Sequence, residues 1–572
     1  GARLVKPIHP CTESDVPQLQ RLLGPLAEHV DPASSLCFVA DGCDGRPAGY
    51  AVATPRLYGQ PLQPGQYFLF VTVAPESRRQ GLGGDLFALC LAQARAAGAE
   101  AVLTMADEAD PAAYRFATRR GFYISYQMVR MELDLAKVDL RVLDRAEAEA
   151  RARGVRISDL SGLADPDDAI GQLYSLDTEL SKDVPEWSGV MPPLAEYRES
   201  LLSGDLTGVL LAWQHGELVG MAMSGPDQEG AAYTSFLGVK PEYRRMGIAR
   251  ALKVHTIRWA LARGFDRLVT DNNTASNGII SLNRKLGYQV RSVASYLLRD
   301  LNAPRFPARS LAFTGATLAV FMWLYAWWQG WWFGAGMGLI MLAHEVGHMV
   351  AGRWRGVRMS LPTFVPFVGA FVSWKGRPRR VADEVVLAAG GPALGLLAGG
   401  LAALAGAMFD VVELMRVAYL GFALHLLNLL PVLPLDGGRM VTGISRWICV
   451  VALPLLVYFT FDQQLGFFFG IVGGASLQAL QLDPMDIYYR ASASRRAQAL
   501  LTYLVLLAAT LGGLLWTSAP SGFGEVLPTY LYDGGPLWDP FNFWLTAAVT
   551  VAYLIYRFGR PMWSRSRPAA AE

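Results

Sequence analysis

The sequence predicts a multidomain protein, with two α/β domains of one repeated design followed by a polytopic all-α transmembrane domain of about eight spans. Three observations lead to this prediction. Up to about residue 305 apolar residues are interleaved with charged ones, whereas long apolar runs dominate afterwards. A strand, turn, glycine-containing loop and helix pattern occurs twice in the first half. Finally, 52% of the 572 residues are hydrophobic and the mean hydropathy is +0.25, too apolar for one water-soluble domain.

Charge and cysteine content disfavour several classes of protein. The net charge of +2 gives no reason to expect a nucleic-acid partner. The 5 cysteines show no CxxC spacing, so we expect neither a disulfide framework nor a thiolate metal site. The first residues lack a charged-then-apolar signal peptide. We therefore expect the first half to stay in the reducing compartment where it is made.

The repeated pattern occupies residues 68–99 and 233–265. Each copy is an apolar strand, a Pro-containing turn, an Arg-x-x-Gly-x-Gly/Ala loop and an amphipathic helix. Glycine lets backbone amides approach a ligand, and the helix directs its positive end there, so a pyrophosphate suits the loop. An ordinary strand-to-helix turn is the alternative, which the duplication disfavours. The predicted cofactor-binding residues are Val73, Arg78, Arg79, Gln80, Gly81, Gly83 and Gly84, then Val239, Arg244, Arg245, Met246, Gly247, Ala249 and Arg250.

Both copies resemble the GCN5-related N-acetyltransferases (GNAT), and each is closed by a suitable ending, RFATRRGFY (115–123) and SLNRKLGYQV (281–290). The second copy is also similar, through TDNNTASNGIISLNRKLGY (270–288), to acetyltransferases of the mycothiol synthase type, themselves tandem proteins. The resemblance implies acetyl-CoA, or another acyl-CoA, as cofactor. It also implies transfer of the acyl group to an amine.

Both copies depart from the family at the general acid. Ala117 and Asn283 stand where many members have a tyrosine. Tyr114 or Tyr288 could substitute, and either copy could instead be a non-catalytic relic that binds CoA or a peptide. The conceivable bases are Glu242 and Asp271, although acidic residues near such loops are more often solvated or structural.

These patterns divide the chain into four parts. The first GNAT-like domain is predicted at 1–136 and the second at 156–303. Between them, the charged stretch 137–155 has helical spacing and reads as a helical linker. The transmembrane domain is predicted at 304–572.

The predicted spans are apolar segments near the length that a bilayer core requires. The pair at 446–480 could instead form a re-entrant feature or one broken helix. Clusters of Lys and Arg fall in alternate connections, so the positive-inside rule predicts cytoplasmic termini and cytoplasmic GNAT-like domains. The eight segments lie at 311–329, 331–352, 384–408, 414–434, 446–461, 464–480, 497–517 and 541–557.

The pentapeptide HEVGH places two histidines inside one of these apolar segments. His344 and His348 are one helical turn apart, so both imidazoles can reach a common ion, and Glu345 lies beside them as a general base. Two histidines that merely hydrogen-bond in a helix bundle are the alternative, which the high cost of ionisable groups at membrane depth disfavours. A third ligand is needed, and Asp436, between a proline-broken span and a Gly-Gly turn, is the best candidate.

Together, HEVGH and NLLPVLPLDGGRM (428–440) resemble the site-2 protease family of intramembrane zinc metalloproteases, over roughly residues 335–445. The resemblance implies Zn²⁺ held by His344, His348 and Asp436, with Glu345 as the catalytic residue.

The same resemblance extends to the segments PFVGAFVSWKGRP (366–378) and AAGGPALG (388–395). Extended backbone at the first of these could hold a peptide by strand addition, with Gly369 and Phe371 as candidate substrate-binding residues. Asn428 matches the family pattern and is a third candidate. His425 is expected to be a polar packing residue, with a role behind a ligand as the alternative.

The leading hypothesis is an intramembrane zinc metalloprotease that hydrolyses peptide bonds in or next to the membrane. Its cytoplasmic tandem GNAT module would either acylate an amine, such as one exposed by cleavage, or regulate the protease. The expected partners are a membrane peptide and the lipid bilayer, with no nucleic acid. The alternative is a membrane-anchored N-acyltransferase whose metal site is vestigial or regulatory.

Overall fold

The computed structural model describes the chain in two compact units, residues 1–303 and 304–572. The described residues are 8–12, 15, 36–42, 47–57, 60–161, 166–185, 187–227, 229–302, 306–365, 369–375, 378, 380–452 and 491–521.

The first unit is built on a single sheet of twelve strands. Its strands are β1 (Ile8–Pro10), β2 (Leu36–Asp41), β3 (Pro47–Thr54), β6 (Gln66–Val73), β7 (Ala101–Asp107), β8 (Tyr123–Asp134), β9 (Val155–Asp159), β10 (Val209–Gln214), β11 (Glu217–Pro226), β12 (Ala232–Val239), β13 (Arg267–Asn273) and β14 (Gln289–Asp300). A separate two-stranded hairpin consists of β4 (Arg56–Leu57) and β5 (Gln60–Pro61).

The described helices of this unit are α1 (Leu82–Ala96), α2 (Pro111–Arg119), α3 (Leu140–Ala152), α4 (Pro166–Ser181), α5 (Leu194–Leu202), α6 (Ile248–Ala262) and α7 (Asn277–Lys285). Helices α1 and α6 follow the two glycine-containing loops, and each buries an apolar face against the sheet. The two copies of the sequence repeat therefore form the same strand–loop–helix unit.

The two halves of the sheet exchange their last strands. The strand order is β1-β2-β3-β6-β7-β14-β8-β13-β12-β11-β10-β9, so β14 pairs with β7 of the first half and β8 pairs with β13 of the second. Ala101 pairs with Asp300, and Arg267 pairs with Asp134. These two pairs are equivalent, because residues 101 and 267, and residues 134 and 300, are each 166 positions apart. The segments predicted as separate domains at 1–136 and 156–303 are thus interlocked, because each completes the sheet of the other.

The stretch between the two halves contains helix α3. Asp139 caps its first turn by accepting a hydrogen bond from the backbone N–H of Arg141 at 2.9 Å. Three charges on its surface face α6: Glu149 accepts a hydrogen bond from Arg250 at 3.1 Å, and Asp144 and Glu147 pair with Arg258. This helix is therefore docked on the second half.

A buried lysine distinguishes the second half from the first. In the first half Phe87 packs edge to face against Phe116 and Phe122, with ring centroids 6.0 Å apart in both pairs. At the positions equivalent to Phe87 and Phe122, the second half has Lys253 and Tyr288. Lys253 is 1% exposed, and its Nζ lies 5.1 Å from the Tyr288 ring centroid with no hydrogen-bond partner among the described residues. Burial lowers the pKa of Lys253 to about 7.

The second unit is mainly helical. Its described helices are α8 (Ala308–Gln329), α9 (Trp331–Arg355), α10 (Val381–Phe409), α11 (Val412–Asn428), α12 (Asp436–Thr442) and α13 (Ala493–Ser521). Two short antiparallel pairs interrupt them, β15 (Arg358–Met359) with β18 (Trp374–Lys375), and β16 (Thr363–Val365) with β17 (Gly369–Phe371). The predicted all-α domain therefore contains a small β element after the HEVGH helix.

Three helices of the described part are long and apolar enough to cross a membrane: Ala308–Trp327, Val381–Phe409 and Ala493–Ser518. The number of about eight spans is not reached within the described residues. The predicted segments 331–352 and 414–434 are helical but are not among these three, and α11 ends at Asn428 rather than at 434. The predicted segments 464–480 and 541–557, and most of 446–461, lie outside the described residues.

Exposed tryptophans mark the ends of α8 and α9. Trp327 and Trp332 are 77% and 82% exposed on either side of the turn between α8 and α9, and Trp354 is 77% exposed at the other end of α9. Tryptophan is enriched at membrane–water interfaces, where its ring meets apolar chains and its N–H meets water. The three apolar helices and these ring positions indicate a membrane-associated unit.

Replacing Lys253 by Met should stabilise the first unit and remove part of its pH dependence. The folded pKa lies below the ordinary lysine value, so the unfolded chain binds the extra proton between pH 7 and 9. Stability of the wild type should therefore rise with pH there, by at most about 1.4 kcal/mol per pH unit.

Urea titration read by hydrogen exchange of strand β13 measures this slope in the full chain. The slope should be smaller in Lys253→Met, whereas the variant of an exposed lysine, Lys285→Met, should keep it. Equal slopes in all three proteins would contradict the assignment.

Candidate functional site

The second unit brings three predicted ligands together at one point. His344 and His348 lie on one face of α9, and Asp436 is the first residue of α12. The two Nε2 atoms are 3.1 Å apart, and one Asp436 carboxylate oxygen lies 3.1 Å from His344 Nε2 and 3.3 Å from His348 Nε2. The histidines are buried and the aspartate is largely so.

These distances can be tested against the geometry of a metal site. A tetrahedral ion with bonds of about 2.0–2.1 Å keeps its ligand atoms about 3.3 Å apart. The three separations lie close to that value. A single carboxylate oxygen faces both nitrogens, which is the arrangement that a shared cation requires. The donor set of two imidazoles and one carboxylate fits a divalent cation such as Zn²⁺.

Hydrogen bonds on the far side of each imidazole direct its Nε2 lone pair inward. His348 Nδ1 donates to the carbonyl oxygen of Leu387 at 2.7 Å, and His344 Nδ1 lies 3.1 Å from His425 Nε2. With both Nδ1 atoms engaged in this way, neutral rings present unprotonated Nε2 atoms to Asp436. Three electron-pair donors then face one another and need positive charge between them.

Glu345 lies next to this cluster on the same helix. Its side chain is 2% exposed, and its Oε2 atom has no hydrogen-bond partner among the described residues. A buried carboxylate oxygen without a donor is costly. Such a group is available to exchange a proton with a substrate or a water molecule.

Two glycines on α10 make room for the histidine rings. A β-carbon at Gly391 would lie 2.8 Å from His344 Nε2 and closer still to His348 Nε2, and one at Gly395 would press on the His425 ring. The same helix meets α9 where Gly390 and Gly347 face each other backbone to backbone. The AAGGPALG segment therefore serves close packing around the rings.

The three predicted substrate-binding residues are not members of the cluster formed by His344, His348 and Asp436. Gly369 and Phe371 are on β17, and the β-carbon position of Gly369 is 4.0 Å from the methyl group of Met341, one turn before His344 on α9. Asn428 is the last residue of α11 and is partly buried.

In the first unit the two predicted cofactor loops share one backbone conformation. Arg79 and Gly81 have φ of 62° and 91°, and Arg245 and Gly247 have 63° and 88°. Left-handed residues of this kind turn successive amides toward one side, which forms an anion-binding concavity ahead of helices α1 and α6. The left-handed position is also the reason for the glycine.

The first arginine of each loop serves the loop itself. Arg78 Nε donates to the carbonyl of Val73 at 2.9 Å, and Arg244 Nε donates to that of Val239 at 3.0 Å. Both guanidinium groups therefore fasten the loop to the end of the preceding strand. The remaining predicted positions, Gln80, Gly83 and Gly84 in the first copy and Met246 and Ala249 in the second, lie in the loop or the first helical turn.

In the second loop, two arginines are paired with acidic residues and one backbone carbonyl accepts a hydrogen bond from a third arginine. Arg244 is paired with Asp183, Arg250 donates to Glu149 at 3.1 Å, and Arg153 Nη1 donates to the carbonyl of Met246 at 2.9 Å. Two of its cations, Arg244 and Arg250, are therefore paired with carboxylates, whereas Arg245 is exposed and Arg153 Nη1 lies 3.4 Å from the β-carbon position of Gly247.

The first loop also gains a cation that sequence reasoning missed. Arg120 follows α2, stacks on the Phe116 ring at 3.5 Å, and brings Nη2 to 3.1 Å from the β-carbon position of Gly84. The signal was its position beside the closing glycine, where the second copy has Leu286.

The conceivable acid and base groups lie in different environments. Asp271 receives hydrogen bonds from both Nε and Nη2 of Arg130 at 3.2 Å, and Tyr233 donates to it at 3.3 Å, so it is held in a network across the exchanged strand. Glu242 is exposed. Tyr288 is 3% exposed, and burial raises the pKa of its hydroxyl. Tyr114 is buried in the core of the first half.

Known proteins match the first unit. The model of the acetyltransferase (GNAT) family matches residues 6–122 and 170–288. An acetyltransferase of Sodalis glossinidius (strain morsitans) is 37% identical over 94 residues, which are 16% of this chain and 65% of that relative. The chain thus spans slightly less than two thirds of that relative's length.

Solved structures are similar to about half of the chain. A GCN5-related N-acetyltransferase from Sphaerobacter thermophilus is 17% identical, with a TM-score of 0.40, over 52% of this chain and 96% of that one. A tandem GNAT protein from the clavulanic acid biosynthesis pathway is also 17% identical, with a TM-score of 0.40. That match covers 52% of this chain and 99% of the other protein. The acetyltransferase (GNAT) family model thus matches each half of the first unit once.

Substituting Gly391 by Ala should disrupt the histidine cluster. The added methyl group would have to displace both rings, and overpacking of this kind costs about 1–3 kcal/mol. Gly400→Ala is the matched control. Gly400 lies on the same helix, and a β-carbon there would meet nothing within 4 Å.

Thermal unfolding of the detergent-solubilised chain should give a lower midpoint for Gly391→Ala and an unchanged or slightly higher one for Gly400→Ala. A Gly391→Ala midpoint equal to that of the wild type would show that the rings are not held against this helix.

Proposed function

We propose that the first unit is an acyl-CoA-dependent N-acyltransferase. The observation that supports this most directly is the duplicated loop. Each copy has two left-handed residues immediately before the first turn of a helix. Acetyl-CoA, or another acyl-CoA, offers the pyrophosphate that such a loop accommodates. The likeness of the second half to mycothiol synthase-type acetyltransferases remains part of this proposal.

The first loop is the better candidate for the working acyl-CoA site. Arg79 is exposed there, and Arg120 lies over the first turn of α1. In the second loop Arg244 and Arg250 are paired with Asp183 and Glu149. A polyanion must compete with these carboxylates for Arg244 and Arg250, which leaves Arg245 and Arg153 at the second loop. At the first loop it meets Arg78, Arg79 and Arg120, none of which has a carboxylate partner among the described residues.

Arg120→Met should weaken acetyl-CoA binding by about three- to tenfold, the effect of losing one charge-assisted contact with phosphate. Its neighbour Arg119, the exposed last residue of α2, is the control, and Arg119→Met should bind as the wild type does.

Isothermal titration of the full chain with acetyl-CoA measures both. Equal loss in the two variants would indicate a general charge effect. No loss in either would move the site to the second loop.

For the second unit we propose a metallopeptidase of the site-2 protease type that hydrolyses peptide bonds in or beside the membrane. The supporting observation is the meeting of His344, His348 and Asp436 within 3.1–3.3 Å in a unit with three candidate spans. These residues would hold a divalent cation, for which Zn²⁺ is the best match. When bound, it supplies Lewis acidity at a scissile carbonyl.

Glu345 carries the proton in this proposal. Its buried carboxylate accepts a proton from the attacking water as the C–O bond forms. The same group then delivers that proton to the departing amine nitrogen as the C–N bond breaks. Gly369, Phe371 and Asn428 are the proposed substrate contacts, with a locally extended peptide as the substrate.

Glu345→Gln should abolish cleavage while metal binding persists, and Asp436→Ala should lose both. The first change removes the proton carrier and the second removes a ligand. Glu413→Gln, an exposed acidic residue at the start of α11, is the control for charge loss and should behave as the wild type.

The assay uses full-length protein in proteoliposomes with a library of single-span peptides and reads products by mass spectrometry, beside metal analysis of each variant. Cleavage that survives in Glu345→Gln would reject the peptidase.

The two activities would be joined in one of two ways. Cleavage could expose an amine that the cytoplasmic GNAT module acylates, or acyl-CoA binding could regulate cleavage. The positive-inside pattern places the module and both termini in the cytoplasm in this proposal. The alternative is a membrane-anchored N-acyltransferase with a vestigial or regulatory metal site, which unchanged acyl transfer and the absence of any cleavage would favour.

A further inference from the structure

We infer that His425 is a positioning residue for the metal site, because its ring holds His344 in the tautomer that turns a lone pair toward His348 and Asp436. This inference rests on the proposed metallopeptidase function. His425 lies on α11, far from the HEVGH helix in sequence, and belongs to neither sequence motif of the site.

The hydrogen bonds around His425 fix the direction of each donor. His425 Nδ1 lies 2.5 Å from the carbonyl oxygen of Gly421, one turn earlier on α11. A carbonyl oxygen only accepts, so the proton of a neutral His425 is on Nδ1 and its Nε2 is an acceptor. That acceptor lies 3.1 Å from His344 Nδ1, which must therefore donate. His344 then has its proton on Nδ1 and its free lone pair on Nε2.

The inward atom of His344 is the one that the metal site needs. Its Nε2 lies 3.1 Å from both His348 Nε2 and the Asp436 carboxylate. In the other tautomer this nitrogen would carry a proton and could not bind a cation. Two successive hydrogen bonds, from His425 to the Gly421 carbonyl and from His344 to His425, thus fix the tautomer of His344.

The two ligand histidines are oriented by different devices. His348 is held directly by the Leu387 carbonyl at 2.7 Å, a main-chain group that substitution does not remove. His344 depends on a side chain. This difference makes the role of His425 testable, because one substitution deletes the acceptor behind one ligand and leaves the other intact.

Packing keeps the His425 ring in place. The residue is 1% exposed, and its ring centroid lies 5.0 Å from that of His344 at an interplanar angle of 62°. Helix α10 passes over it at Gly395, where a β-carbon would lie 2.7 Å from Cε1 and 3.1 Å from Cδ2. A residue that only filled space would be replaceable by an apolar ring. An acceptor would not be.

The experiment compares three full-length proteins in detergent, using Co²⁺ as the probe: the wild type, His425→Phe and His425→Gln. Phenylalanine keeps a planar ring but has no acceptor, whereas the glutamine side-chain amide can accept close to the position of Nε2. Cobalt affinity and the visible absorption bands of the bound ion are measured, with size-exclusion elution as the check on folding.

We expect His425→Phe to bind Co²⁺ about 10- to 100-fold more weakly with altered bands, and His425→Gln to recover most of the affinity and the wild-type spectrum. Equal binding by the phenylalanine variant overturns the inference, as does equal loss in both variants. His425→Leu replaces the phenylalanine variant if that protein aggregates.

The wild type separates this inference from the function on which it rests. A wild type that binds no divalent cation refutes the proposed metallopeptidase and the inference with it. A wild type that binds Co²⁺, beside a phenylalanine variant that binds it equally, refutes only the role of His425.

Discussion

The second unit depends on the meeting of three electron-pair donors in a buried pocket. Two imidazole nitrogens and a carboxylate oxygen at 3.1–3.3 Å repel one another unless positive charge lies between them. Everything around them serves that meeting. The Leu387 carbonyl and the His425 ring set which nitrogen faces inward, and the glycines of α10 remove the side chains that would occupy the same space.

Close helix packing is the condition for this pocket. Helices α9 and α10 approach at Gly347 and Gly390, where a β-carbon on either would meet the backbone of the other. Such contacts are favoured where apolar solvent gives helices no hydrophobic reason to associate. The glycines of α9 and α10 and the histidine cluster are therefore parts of one arrangement, in which the space left on one helix accommodates the rings of its neighbour.

The first unit depends on a different constraint, the exchange of β8 and β14 within one sheet. Each strand supplies the neighbour that the other half lacks, and Met128 pairs with Ala294 at the centre of this exchange. Symmetry of the backbone does not extend to the chemistry. One half packs an aromatic trio where the other buries Lys253 beside Tyr288. One loop gains Arg120, whereas the other has Arg244 and Arg250 paired with carboxylates.

The sequence by itself determined the local patterns. Repeated loops of fixed spacing, the HEVGH turn and the apolar runs follow from periodicity and residue type, which are properties of neighbouring residues. It also pointed to Asp436 as a partner of the histidines through a resemblance. Only the tertiary structure decided which distant groups meet: the exchanged strands, Arg120 at Gly84, and His425 behind His344. Such contacts depend on helix crossing and strand order, and no short stretch of sequence encodes either.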